Sequence, residues 1–156
     1  MKKVLIALDY NPTAQKVAEQ GFDLATAMKA EIILLHVIFD PAYYSSMIYS
    51  PIMGFGGYTG TDMLPLETIT ELTKSSYHFL EKTKDHLGDE NIVTIVKEGN
   101  VSEAILETAK DLFVDVIVIG SHSQQWLEKI IMGSNTEKVL HRTKIPLFIV
   151  PTKSND

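Results

Sequence analysis

Residues 117–135 read IVIGSHSQQWLEKIIMGSN. An apolar run stops at Gly120, and a second small pair, Gly133-Ser134, follows before the chain turns charged again. Taken locally, DVIVIG (115–120) is short and continuously apolar, as expected of a strand covered on both faces. Ser134 with Glu137 has the spacing of a capping box and opens a helix carrying Val139 and Leu140. The two glycines therefore admit two readings. They are plain turns at the ends of elements, or the two sides of a cradle whose backbone N–H groups hold an anion. What else the chain places beside them decides.

Working outward, the apolar pattern alternates between short runs and longer 3.6-period segments. KVLIALD (3–9) predicts a first buried strand, and Asn11-Pro12 a helix start with proline at its first position. Ala14, Val17, Ala18, Gly21, Leu24, Ala25 and Met28 mark the apolar face of that helix, and EIILLHVIF (31–39) the second strand. Residues 41–61 carry no charge, with four of the six tyrosines and four of the nine glycines, which predicts a lid, a binding loop or a loose surface segment. Leu66, Ile69, Leu72, Tyr77, Leu80 and Leu87 predict a long helix, and IVTIVKEG (92–99) a third strand. Asn100 with Glu103 resembles a capping box before the helix of Ala104, Ile105, Ala109 and Leu112, and IPLFIVP (145–151) closes as a fifth strand. The order βαβαβαβαβ implies a single open five-stranded parallel sheet with helices on both faces, a Rossmann-like α/β fold. We expect one domain over 1–152, with an insertion or long loop at about 41–65. On such sheets ligands bind outside the carboxyl ends of the strands, where strand order reverses. If the first strand is central, Asp9 and Gly120 face the same crevice.

Composition narrows the classes. The chain has 156 residues, 45% apolar and 22% charged, an ordinary globular mixture, and no cysteine. That excludes a disulfide scaffold and a thiolate metal site, and suits a reducing compartment. The apolar core VLIAL near the N-terminus is too short for a signal peptide, and no run approaches the roughly 18 apolar residues of a membrane span. A cytoplasmic protein without membrane contact is expected. The net charge is −6, with Lys and Arg scattered, so no basic face for nucleic acid is expected. The five histidines, His36, His78, His86, His122 and His141, lack metal-ligand spacing. His36 is expected against the core, His122 in a loop rather than as a general base, and Trp126 as a packing residue of that loop. No G-x4-GK[ST] and no G-x-G-x-x-G occurs. No catalytic residue is nominated: the residues offer neither an evident base to orient water nor an arginine for phosphoryl transfer, so at most slow hydrolysis is expected.

Gly120, Ser123 and Gly133-Ser134 resemble the glycine motif of the universal stress protein family, the UspA-like domains, written G-x2-G-x9-G-[ST] in its nucleotide-binding members. The spacing is intact, and serine stands at the second glycine. LDYNP after the first strand, LLHVI, EGNVSEAI and IPLFIVP extend the resemblance over nearly the whole chain outside 41–65. It implies an adenine nucleotide alpha hydrolase-like fold that binds ATP, or a related adenine nucleotide, as a sensor or adaptor in stress response. By position, Ala7 and Asp9 would meet the nucleoside and Val37 the adenine. Ile119, Gly120, Ser121, His122, Ser123, Gly133, Ser134 and Asn135 would hold the phosphates. Mg²⁺ would be coordinated by phosphate oxygens and water, with no metal ligand directly from the protein. A positive φ at Ser123 would cost about 1–2 kcal/mol, a weakening of roughly 5- to 30-fold. The family also commonly dimerises through its last strand, here Ile145–Val150. The alternative is a dimeric protein-interaction module of the same fold that has lost nucleotide binding, acting on an unknown protein partner through residues 41–65.

Overall fold

Nine elements form among the described residues, 1–9, 12–39, 69–121 and 134–152, of the computed structural model. The strands are β1 (Lys3–Ala7), β2 (Glu31–Ile38), β3 (Val93–Glu98), β4 (Val116–Gly120) and β5 (Leu147–Val150). The helices are α1 (Ala14–Met28), α2 (Ile69–Leu87), α3 (Val101–Asp111) and α4 (Ser134–Arg142). All strand pairs are parallel, and the sheet order is β3-β2-β1-β4-β5. The expected open α/β sheet is the observed one, with β1 at its centre and β5 at an edge.

The unbroken apolar strands are explained by two separate cores. Val4, Ile6, Ile32, Leu34, Ile38 and Val118 point to the face covered by α1 and α2. Leu5, Ala7, Ile33, Leu35, Val37, Ile117 and Ile119 point to the face covered by α3 and α4. Successive side chains on a strand alternate between faces, so a strand covered on both sides must be apolar at every position. Gly21 lets α1 lie close on the sheet: a Cβ built there would stand 2.7 Å from Ile6 Cδ1.

Several local expectations change. α1 begins at Ala14 with Thr13 as its N-cap, later than the Asn11-Pro12 start; Asn11 lies outside the described residues. In α2, Tyr77 is 40% exposed while Leu72, Ser76, Phe79, Leu80 and Thr83 are buried, because those five, and not Tyr77, fall on one helical stripe. The Thr83 hydroxyl donates to the Phe79 carbonyl at 2.9 Å, which satisfies it inside the core. Ser134 is the first residue of α4, and the residue before it lies outside the described residues. The Asn100 cap holds: its Oδ1 accepts from Glu103 N at 3.0 Å. Three chain reversals after helices use left-handed residues, Lys29 (φ 57°), Gly88 (φ 77°) and Phe113 (φ 55°). The segment 41–65 lies outside the described residues.

Candidate functional site

The chain leaves β1 toward β2 and leaves β4 toward β5, in opposite directions across the sheet. Between the carboxyl ends of these two neighbours lies a crevice of about 600 Å³, open solvent included. This is the switch point where such folds place ligands. Its floor is the ends of β1 and β4, through Ala7, Leu8 and Asp9 and through Ile119 and Gly120. Leu35, Val37 and Phe39 of the β2 segment and Val101 and Ile105 of α3 make one wall. Thr13, Ala14 and Val17 of α1, with Asn135 of α4, make the other sides.

Of the residues nominated from sequence, Ala7, Asp9, Val37, Ile119, Gly120 and Asn135 line this crevice together. Ser121 does not. Its N–H donates to the Val150 carbonyl at 2.8 Å, extending the β4–β5 ladder. Its hydroxyl accepts from Thr152 N at 2.9 Å and lies 3.3 Å from Thr152 Oγ1, so both polar groups serve the sheet edge. Ser134 starts α4, one residue before Asn135. His122, Ser123, Trp126 and Gly133 lie outside the described residues.

Each end of the crevice floor is fixed by buried groups. His36, 1% exposed, stands edge-on to Phe79, with ring centroids 5.9 Å apart. Its Nδ1 lies 2.7 Å from the Leu8 carbonyl; a carbonyl only accepts, so Nδ1 carries the proton. Burial pushes the His36 pKa down to about 4, against the smaller opposing effect of that hydrogen bond, and the ring is neutral near pH 7. Leu8 N donates to the Leu35 carbonyl at 2.8 Å, so Leu8, the residue before Asp9, is held through both its N–H and its carbonyl. Asp9 Oδ2 is shut off from solvent. On β4, a Cβ added to Gly120 would lie 3.0 Å from Val17 Cγ2 and 3.0 Å from Thr152 Cγ2. The Gly120 carbonyl accepts from Thr136 Oγ1 at 2.7 Å.

The arrangement suits a flat apolar group against Val37, Ile105 and Ile119, with polar contacts at one carboxylate and one amide, Asp9 and Asn135. The N-termini of α1, α3 and α4 share the rim through Ala14, Val101 and Asn135, and first-turn N–H groups favour negative charge. Among the described residues, no group of three His, Cys, Asp or Glu is placed to hold a metal ion. No helix among them is long and apolar enough to cross a membrane. Sequence reading missed Thr13, Val101 and Thr152, and it named the Thr136 N–H at the helix start but not its side chain. Asn100 as a cap already signalled that Val101 opens a helix at the carboxyl edge of the sheet. The Thr136 and Thr152 side chains gave no signal, since a buried threonine is indistinguishable from a surface one in a string.

A family model described as the universal stress protein family matches residues 1–151. Universal stress protein MJ0577 of Methanocaldococcus jannaschii is 30% identical over 157 residues, spanning 99% of this chain and 97% of its own. A solved structure of MJ0577 superposes with a TM-score of 0.74 at 28% identity, over 99% of this chain and 98% of that one. More distantly, a universal stress protein solved with cAMP shares the fold at 17% identity and a TM-score of 0.63, over 96% of both chains. One from Archaeoglobus fulgidus solved with dAMP shares it at 16% and 0.60, over 96% of this chain and 98% of that one. With its sheet order, its crevice and this match over nearly its full length, the chain belongs to the universal stress protein family.

Proposed function

We propose that the crevice binds an adenine nucleotide, ATP with Mg²⁺, and that occupancy lets this protein act as a cytoplasmic sensor or adaptor in stress response. The observation that carries the reading is the meeting of Asp9, Val37, Ile119, Gly120 and Asn135 at one switch-point crevice. An adenine ring fits the apolar wall, Asp9 can accept from ribose hydroxyls, and the α4 N-terminus faces the phosphate end. The cAMP and dAMP complexes of the two distant members support the ligand class. The residues suit such a ligand. Mg²⁺, held by phosphate oxygens and water, would offset the charge of the bound phosphates. The chain's own part is to orient the base and ribose and to present N–H groups to the anion.

The test is calorimetric titration of MgATP and of AMP into nucleotide-stripped protein, with Ser123→Gly in parallel. One saturable site per chain is expected, with the glycine variant tighter by about 5- to 30-fold. No heat from either protein would end the nucleotide reading.

A second reading, a dimeric interaction module without nucleotide, draws on Gly120 and Ser121. The space Gly120 leaves is already filled by Val17 and Thr152, and Ser121 is engaged by Thr152, so both have roles that need no ligand. If Gly120→Ala shifts the melting temperature equally with and without MgATP, this reading gains.

A further inference from the structure

Thr136 borders the crevice without lining it. It is the third residue of α4, 0% exposed, and its hydroxyl donates to the Gly120 carbonyl at 2.7 Å. Its neighbour Asn135 and its acceptor residue Gly120 both line the crevice. α4 is a short helix that packs against α3. Among its residues with described side chains, only Thr136 and Val139 are fully buried, while Glu137, Lys138, Leu140, His141 and Arg142 face outward.

The two anchors act differently. Val139 packs in the core on the α3 side of the sheet, held by an attraction that is itself non-directional. A hydrogen bond is directional, so the Thr136 bond sets rotation and slide. The bond also answers a need of the strand. Gly120 ends β4 and is buried, and a buried carbonyl without a donor is costly.

We propose that Thr136 is a positioning residue for the nucleotide site: its bond to the Gly120 carbonyl registers the α4 N-terminus, and with it Asn135, against the end of β4. The inference rests on the nucleotide reading above and adds a specific consequence. The bond acts on the phosphate side, where α4 begins. The opposite wall, built from β2 and α3, does not depend on it.

The experiment compares wild type, Thr136→Val and Thr136→Ser by titration with MgATP and with adenosine, which lacks phosphate. Valine keeps the branched shape and removes the donor; serine keeps the donor. The expected result is MgATP affinity lowered about tenfold in Thr136→Val, adenosine affinity changed by less than about twofold, and both restored in Thr136→Ser. Unchanged MgATP binding by Thr136→Val would overturn the inference. So would equal loss of both ligands, which marks a general structural role. If Thr136→Val does not fold, Thr136→Ala, which also lacks the donor but relieves crowding, is judged by the same two outcomes. Wild type that binds neither ligand removes the nucleotide reading itself, and that failure is visible before any variant is made.

Discussion

A methyl group at residue 120 has nowhere to go: Val17 Cγ2 and Thr152 Cγ2 both stand 3.0 Å from the place a Cβ would occupy. Gly120→Ala is therefore expected to cost about 1–2 kcal/mol in the ligand-free protein. In a Val17→Ala background the same change should cost at least about 0.5 kcal/mol less, since the two sites share the space. Urea denaturation of the four proteins in the cycle measures this, and strict additivity would sink the packing explanation. Gly120 thus has two constraints on it, tight packing behind and an open crevice in front. The motif spacing showed that residue 120 should be glycine but not which side of it was crowded. Asp9 was legible because strand order brings the ends of β1 and β4 together, whereas Val37 and Asn135 were named by position from the family resemblance. Ser121 was not, since its use by Thr152 depends on where the chain runs after β5.

At the scale of elements, helix ends were read least well. α1 and α3 both finish with the same pair of bonds. Lys29 N reaches the Thr26 carbonyl and Ala30 N that of Ala25; Phe113 N reaches Lys110 and Val114 N reaches Ala109. Each pair closes around a left-handed residue, where glycine is the usual occupant. A lysine and a phenylalanine there hide the stop signal from a reader of the sequence, whereas Gly88 after α2 shows it. Phe113 is also 82% exposed, so its ring gains little to offset a left-handed backbone costing about 1–2 kcal/mol. Phe113→Gly is expected to stabilise the protein by about 0.5–1 kcal/mol, the strain relieved less the entropy that glycine adds to the unfolded chain. A lower urea midpoint in this variant would contradict that account. Strands and buried helix faces were legible for the opposite reason: burial dictates their pattern over many residues, while a cap or a reversal depends on one.

For the molecule as a whole, His36 ties stability to acidity. Its folded pKa of about 4 lies below the ordinary 6.5, so the unfolded chain takes up the proton first as pH falls. The stabilisation is complete above pH 6.5 and is lost progressively toward pH 4, by up to about 3 kcal/mol. Glu19, whose pKa the His86 hydrogen bond lowers from 4.5, stays ionised through most of that window. His36→Leu should be less stable at pH 7, where the Leu8 carbonyl loses its donor, yet show a flatter profile between pH 6.5 and 4.5. Parallel profiles for the two proteins would refute the assignment. Among the described residues β5 is an edge strand of the sheet, and its Phe148 is 37% exposed. An edge of this kind invites pairing with a second copy, and a homodimer through Ile145–Val150 is our expectation. Sedimentation at micromolar concentration should show a dimer for wild type and a monomer for Phe148→Glu; a monomeric wild type would discard it.

The placement of β1 also governs how the protein is made. Val4 pairs with Ile32 on one side and with Val116 on the other. A ribosome must therefore add a long stretch of chain after β2 before β1 can find its second neighbour. At roughly 5–20 residues per second, one flank of the sheet's central strand waits on the order of 4–17 s with its backbone groups unmatched. That interval is when the nascent chain most needs shelter from its neighbours. The crevice, which needs β4 and α4, is among the last features completed, so a ligand that favours it stabilises the finished protein and offers nothing to the half-made one.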